Sequence, residues 1–205
     1  NKYGLAGTDF VGQLHRELYN VDFISEMEQT WSLDRHLIAS ETVFFSHETY
    51  TPARGGSAQS EVKALRQTFG SSADKLVIAN TKGFTGHPMA VGIEDASMFY
   101  GLKTQRIPPI ANHKEKDPEL GDLNLSTGGD YPQLEYGLRF AAGFGSQIAL
   151  SLMRRWPVDG DRMAVDHPAR AGQFGDAGVA QQSVDVVQVG RHCVAVTCLA
   201  WCRCR

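Results

Sequence analysis

A layered α/β body is the fold class this sequence predicts, and three observations predict it. Segments with helical apolar spacing alternate with short apolar runs of strand length, glycine and proline clusters separate them, and a late apolar stretch turns back on itself at a glycine pair. Ile24, Met27 and Trp31 stand at i, i+3 and i+7 in a Glu-rich segment, which makes one apolar face of a helix. TVFFS, residues 42–46, reads as a short buried strand. After the breaker cluster at 52–56, Ser57 is placed to cap a helix whose Val62, Leu65 and Phe69 repeat the spacing and which Gly70 ends. LVIAN, residues 76–80, is the next strand.

Pro88 suits the first turn of a further helix, with Ile93, Ala96 and Tyr100 on one face up to about Leu102. Lys82 and His87 therefore fall between a strand and a helix. Pro108, Pro109, Asn112 and Pro118 build a rigid extended connection. YGLRFAAGFGSQIALSLM, residues 136–153, alternates at Ile148, Leu150 and Leu152 and predicts two strands joined at GFGS. We expect the body to occupy 1–156. Residues 157–205 read as a poorly ordered linker or tail, or an out-of-frame extension: lysine is absent from Glu119 onward, and VDVVQV forms at most an isolated strand with little to pack against.

With 205 residues, 42% of them apolar, the chain is long enough for one domain with a real core. Twenty basic against twenty-three acidic residues, a formal charge of -3, give no phosphate-tracking surface, so no nucleic-acid partner is expected. The longest apolar runs fall far short of a bilayer span, and no basic-then-apolar leader opens the chain, so the expectation is a cytoplasmic protein without membrane contact. The chain starts at Asn1 without a Met, which reads as a piece of something longer. All four cysteines, Cys193, Cys198, Cys202 and Cys204, lie in the last thirteen residues. Their C-x4-C-x3-C-x-C spacing beside His192 lacks paired C-x2-C knuckles, so no metal site is expected there.

Singly, the candidate chemical residues carry little. His47 in FFSHETYTP fits a hydrogen-bonded structural histidine, and Lys82 alone fits a solvated surface lysine. GFGSQI falls short of G-x-G-x-x-G, and TKGFTGH has its lysine at the wrong end for a phosphate loop. Their order is more informative. HETYTPARGGSAQSEVKALRQTFG, then KGFTGH, then RIPPIANHKEKDPEL, then GFGS together resemble the C-terminal half of a β-ketoacyl synthase, a condensing enzyme of the thiolase fold, over residues 20 to 155. The family's corresponding patterns are H-G-T-G-T followed by Gly-Asp and a glutamate, K-x-x-x-G-H, an I-P-P connection, and G-F-G-G. Glu48 and Tyr50 depart from it in standing for glycines, and the stretch to Glu61 is three residues longer and lacks the aspartate. His47 and His87 accordingly carry more weight than Glu61.

The resemblance implies a thiolase-like half-domain, a mixed sheet packed by helices, from a modular polyketide or fatty-acid synthase. It implies decarboxylative condensation of an acyl thioester with a malonyl-type thioester. His47 and His87 would donate N–H groups to the thioester carbonyl, and Lys82 would be a supporting charge. Phe144 would contribute to an oxyanion hole and gate the acyl pocket, with Thr49 and Thr51 along the substrate arm. No cofactor is implied beyond the carrier-bound phosphopantetheine thioester that is itself substrate. The implied partners are acyl carrier protein, the N-terminal half of the ketosynthase and, when complete, a second copy. The family's nucleophilic cysteine lies in the N-terminal half, and no cysteine precedes Cys193, so this chain alone is expected to be inactive. The competing reading is a noncatalytic thiolase-fold module for pairing or carrier docking; His47, Lys82, His87 and Phe144 together weigh against it.

Overall fold

Four consecutive buried residues, Thr42–Phe45, form strand β1, the burial expected of a strand covered on both faces. It belongs to a computed structural model that describes residues 23–48, 57–86, 92–143, 147–157, 183–189 and 192–201. Before it come helices α1 (Ile24–Trp31) and α2 (Arg35–Ile38). Ser32 ends α1 in the left-handed region and returns its N–H to the Glu28 carbonyl, while the Asp34 carboxylate caps α2 by accepting from the amides of His36 and Leu37.

Helix α3 (Ser57–Phe69) follows, then β2 (Val77–Ala79), a one-turn helix α4 (Lys82–Thr85) and α5 (Gly92–Thr104). The short strands β3 (Arg106–Ile107), β4 (Asn124–Leu125) and β5 (Gly129–Asp130) lead to the long pair β6 (Tyr136–Gly143) and β7 (Gln147–Pro157), and then to β8 (Ser183–Val189) and β9 (His192–Trp201). Seven strands make one mixed sheet in the order β4-β2-β1-β6-β7-β9-β8. The neighbours from β4 to β6 are parallel, and those from β6 to β8 antiparallel. β3 and β5 form a separate antiparallel pair.

The period-2 alternation of strands divides the core between the two faces of the sheet. Phe44, Leu138, Phe140, Leu150 and Leu152 face one way and pack with Ile24 and Met27 of α1 and with Leu65 and Phe69 of α3. Val43, Phe45, Val77 and Ala79 face the other way, onto Met98 and Leu102 of α5. The result is helix, sheet, helix, and each large side chain so buried contributes about 1.5–3 kcal/mol. Gly137 sets how closely α5 approaches: a Cβ there would meet Met98 Cγ and Sδ at 2.8 Å.

The mixed α/β class and the strand and helix order agree with the sequence reading, and four details differ. Lys82 lies in a turn of helix rather than a loop. On α5 the face of Ile93 and Tyr100 is open, 45% and 64% exposed, and Met98 and Leu102 make the packing face instead. Apolar spacing identifies faces of a helix, but it does not say which one meets the sheet when several are apolar. The extended connection is flanked by β3 before it and by β4 and β5 after it, strands too short to leave a periodic signal. VDVVQV is not isolated: β8 pairs with β9, which pairs with β7 from Ile148↔Trp201 to Pro157↔His192 and so satisfies the outer edge of β7.

Candidate active site

Parallel pairing of β1, β2 and β6 brings together the ends of strands that are far apart in sequence, and in open α/β sheets the carboxyl ends of such strands are where ligands gather. His47 lies just beyond the end of β1, Lys82 just beyond β2, and Arg139 sits on β6 in register with Phe45. Helix α5 crosses the same region and presents Glu94 and Asp95 from its first turn.

Lys82 is the hub. Its Nζ lies 2.9 Å from His47 Nδ1, donates to the His47 carbonyl at 2.7 Å, and forms an ion pair with Glu94 Oε1 at 3.3 Å. The contact to Glu94 Oε1 is charge pairing rather than a directed hydrogen bond. Lys82 is buried, with its side chain only 2% exposed. Burial holds the amine below its ordinary value; the carboxylates of Glu94 and, less strongly, Glu61 pull the other way, and the Arg139 guanidinium adds to the lowering. With one N–H on the His47 carbonyl, the charged ammonium turns another toward Nδ1. Against a charged lysine that nitrogen accepts, and the ring then carries its own proton on Nε2. The imidazole is further held by an edge-to-face contact with Phe140, 5.8 Å between centroids.

The backbone around His47 is held with equal care. Glu61, 2% exposed on α3, accepts from Ser46 Oγ at 2.6 Å and from the His47 amide at 3.2 Å. Asn80 donates from Nδ2 to the Glu48 carbonyl at 2.8 Å and accepts from the Lys82 amide through Oδ1, tying the two loops together. Glu48, which stands where the resemblance has glycine, accepts from the Ala58 amide at 2.7 Å at the start of α3. Behind the lysine, Arg139 splits its guanidinium between Glu94 Oε2 and Asp95 Oδ1.

Curated proteins similar to this chain include 3-oxoacyl-[acyl-carrier-protein] synthases. The 3-oxoacyl-[acyl-carrier-protein] synthase 2 of Staphylococcus aureus (strain COL) is 29% identical over 114 residues, 54% of this chain and 27% of the relative. That of Synechocystis sp. is 30% identical over 102 residues, 48% of this chain and 24% of the relative. The chain is a relative of the β-ketoacyl synthases. The matched stretch spans about a quarter of these relatives' length. No protein-family model matches the chain.

For this ketosynthase relative the structure brings His47 and Lys82 into direct contact. His87, Phe144, Thr49 and Thr51 lie outside the described residues. Among the described residues no helix is long and apolar enough to cross a membrane. Sequence reasoning gave Glu61 less weight than the structure gives it, and it singled out none of Asn80, Glu94, Asp95 and Arg139. One signal was present: a lone arginine between Leu138 and Phe140, in a strand buried on both faces, requires carboxylate partners. The acidic pair opening the helix after KGFTGH is the place to look for them.

Proposed function

We propose that this chain is part of a β-ketoacyl synthase, the portion that stabilises anionic intermediates during decarboxylative Claisen condensation on acyl carrier protein. One observation carries the reading: Lys82 Nζ at 2.9 Å from His47 Nδ1, a contact that, with the lysine charged, makes Nδ1 the acceptor and puts the ring proton on Nε2, where it can serve as a donor. In the reaction, the bond between the malonyl α-carbon and its carboxylate breaks, CO2 leaves, and the electron pair delocalises onto the thioester oxygen as an enolate. The enolate carbon then attacks an acyl thioester, and the thiolate leaves as the tetrahedral oxyanion collapses. Both anions need donors that are in place beforehand, each contributing about 2.7–4 kcal/mol of barrier lowering.

His47 supplies one such donor, and His87 supplies the second. Lys82 keeps the imidazole in its Nε2–H form and adds positive potential beside the developing charge. Phe144 gates the acyl pocket and lends its N–H to the oxyanion, while Thr49 and Thr51 line the path of the phosphopantetheine arm, which enters as substrate. The acylated cysteine comes from the N-terminal half of the ketosynthase, and the complete enzyme pairs as a homodimer. The reading is tested in the complete enzyme by measuring CO2 release from malonyl carrier protein. His47→Ala and His87→Ala are each expected to lower it about 10²–10³-fold. Undiminished release in either variant refutes the role given to that residue.

A further inference from the structure

Arg139 belongs to neither the quoted motifs nor the proposed chemistry, yet it is the most buried arginine contact in the described site. Its side chain is 5% exposed, and it holds Glu94 through one nitrogen and Asp95 at 2.6 Å through another. Glu94 in turn faces Lys82 through its other oxygen, and Lys82 contacts His47. Four chain segments are thereby joined by charge from β6 to the loop after β1: Asp95, Arg139, Glu94, Lys82, His47.

A buried guanidinium costs far more to desolvate than a neutral side chain of similar size. Packing alone gives no reason for one here, since the same face of the sheet is otherwise filled by Val43, Phe45 and Val77. The arrangement of partners suggests what the charge does. Glu94 has two oxygens, one for each cation, so the negative charge available to Lys82 is shared with Arg139. Asp95, with a side chain 34% exposed, neutralises part of the arginine from the solvent side.

We propose that Arg139 is a positioning residue for this site, setting through Glu94 the orientation and proton affinity of Lys82 and thereby the ring form of His47. The proposal rests on the ketosynthase reading only for the use made of His47; the linkage itself stands on the contacts. Among the described residues, the charged or titratable groups facing Lys82 are His47 from the loop after β1, Glu61 from α3, Glu94 from α5 and Arg139 from β6. Arg139→Gln removes a cation and leaves Glu94 wholly to Lys82, so the Lys82 amine becomes harder to deprotonate. Asp95→Asn leaves the Arg139 charge less neutralised, so the amine becomes easier to deprotonate.

The opposite signs separate this role from a structural one. Simple loosening of the site admits water, relieves burial and raises the Lys82 midpoint in both variants. The experiment follows the Lys82 side-chain 13Cε resonance with pH in the 205-residue chain, together with the His47 ring 15N resonances, for wild type, Arg139→Gln, Arg139→Lys and Asp95→Asn. The expected result is an upward shift for Arg139→Gln, a downward shift for Asp95→Asn, and a smaller shift for Arg139→Lys than for Arg139→Gln. Shifts of the same sign in the first two, or none in either, overturn the proposal. If Arg139→Gln fails to fold, the Asp95→Asn shift decides alone: upward or absent overturns it. A wild-type His47 bearing its proton on Nδ1 instead refutes the function assigned to the ring and leaves the Lys82 test standing.

Discussion

Replacing Glu94 by glutamine tests the buried charge cluster most directly. The substitution keeps size and shape but removes the one carboxylate lying between two buried cations, Lys82 at 2% and Arg139 at 5% side-chain exposure. Arg139 retains Asp95, and Lys82 retains the carbonyl and ring nitrogen of His47. Neither of these hydrogen-bond partners carries a formal negative charge, and Glu61 acts on Lys82 less strongly than Glu94 does. Breaking a buried pair by neutralising one member costs about 3–5 kcal/mol, a large share of the roughly 5–15 kcal/mol that holds an ordinary domain together. The same molecule contains a control: Arg106 and Asp130 form an ion pair with side chains 70% and 77% exposed, so Asp130→Asn should cost about 0–1 kcal/mol. Urea unfolding followed by circular dichroism, with the two variants measured beside wild type, gives both numbers. Equal, small losses for Glu94→Gln and Asp130→Asn would show that the cluster is solvated, and the electrostatic account of the site would fail.

Three further outcomes are expected. Gly137→Ala pushes a methyl group against Met98 and Leu102 at 2.8 to 3.0 Å; because those atoms belong to flexible side chains that can give only in part, the cost should be about 1–3 kcal/mol of overpacking, and an unchanged urea midpoint would contradict the close packing of α5 on β6. Glu61→Gln turns an amide group toward donors from Ser46 and His47, which should destabilise by about 1–3 kcal/mol and speed hydrogen exchange at the His47 amide; unchanged protection would remove Glu61 from the site's support. The Glu28 carboxyl is held below its ordinary value chiefly by the hydrogen bonds from Arg35. A depressed carboxyl pKa contributes stability above its unfolded value and loses it as pH falls through the folded one. The stability gap between wild type and Glu28→Gln should therefore be largest near neutrality and close in acid; a gap that persists in acid would refute it.

Much of the fold was legible because it is local. Ile24, Met27 and Trp31 announce α1, and Val62, Leu65 and Phe69 announce α3, since a helix repeats its contacts every three to four residues. The apolar run of β1 and the strand pair β6 and β7 were equally readable. The burial of α5 was not, because its apolar residues lie on more than one face, and the sheet's position alone selects Met98 and Leu102.

The sequence by itself determined the order of the main helices and strands of the body and the kinship with the condensing enzymes, and it brought His47 and Lys82 forward as residues with chemistry. Only the tertiary structure decided that these two touch, across 35 residues of chain, and that Arg139 reaches Glu94 across 45. The physical reason is the range of each constraint. Helix and strand patterns follow from neighbours a few positions away, whereas a buried charge is tolerated only where the folded chain brings its counter-charge, and parallel strand pairing sets that place.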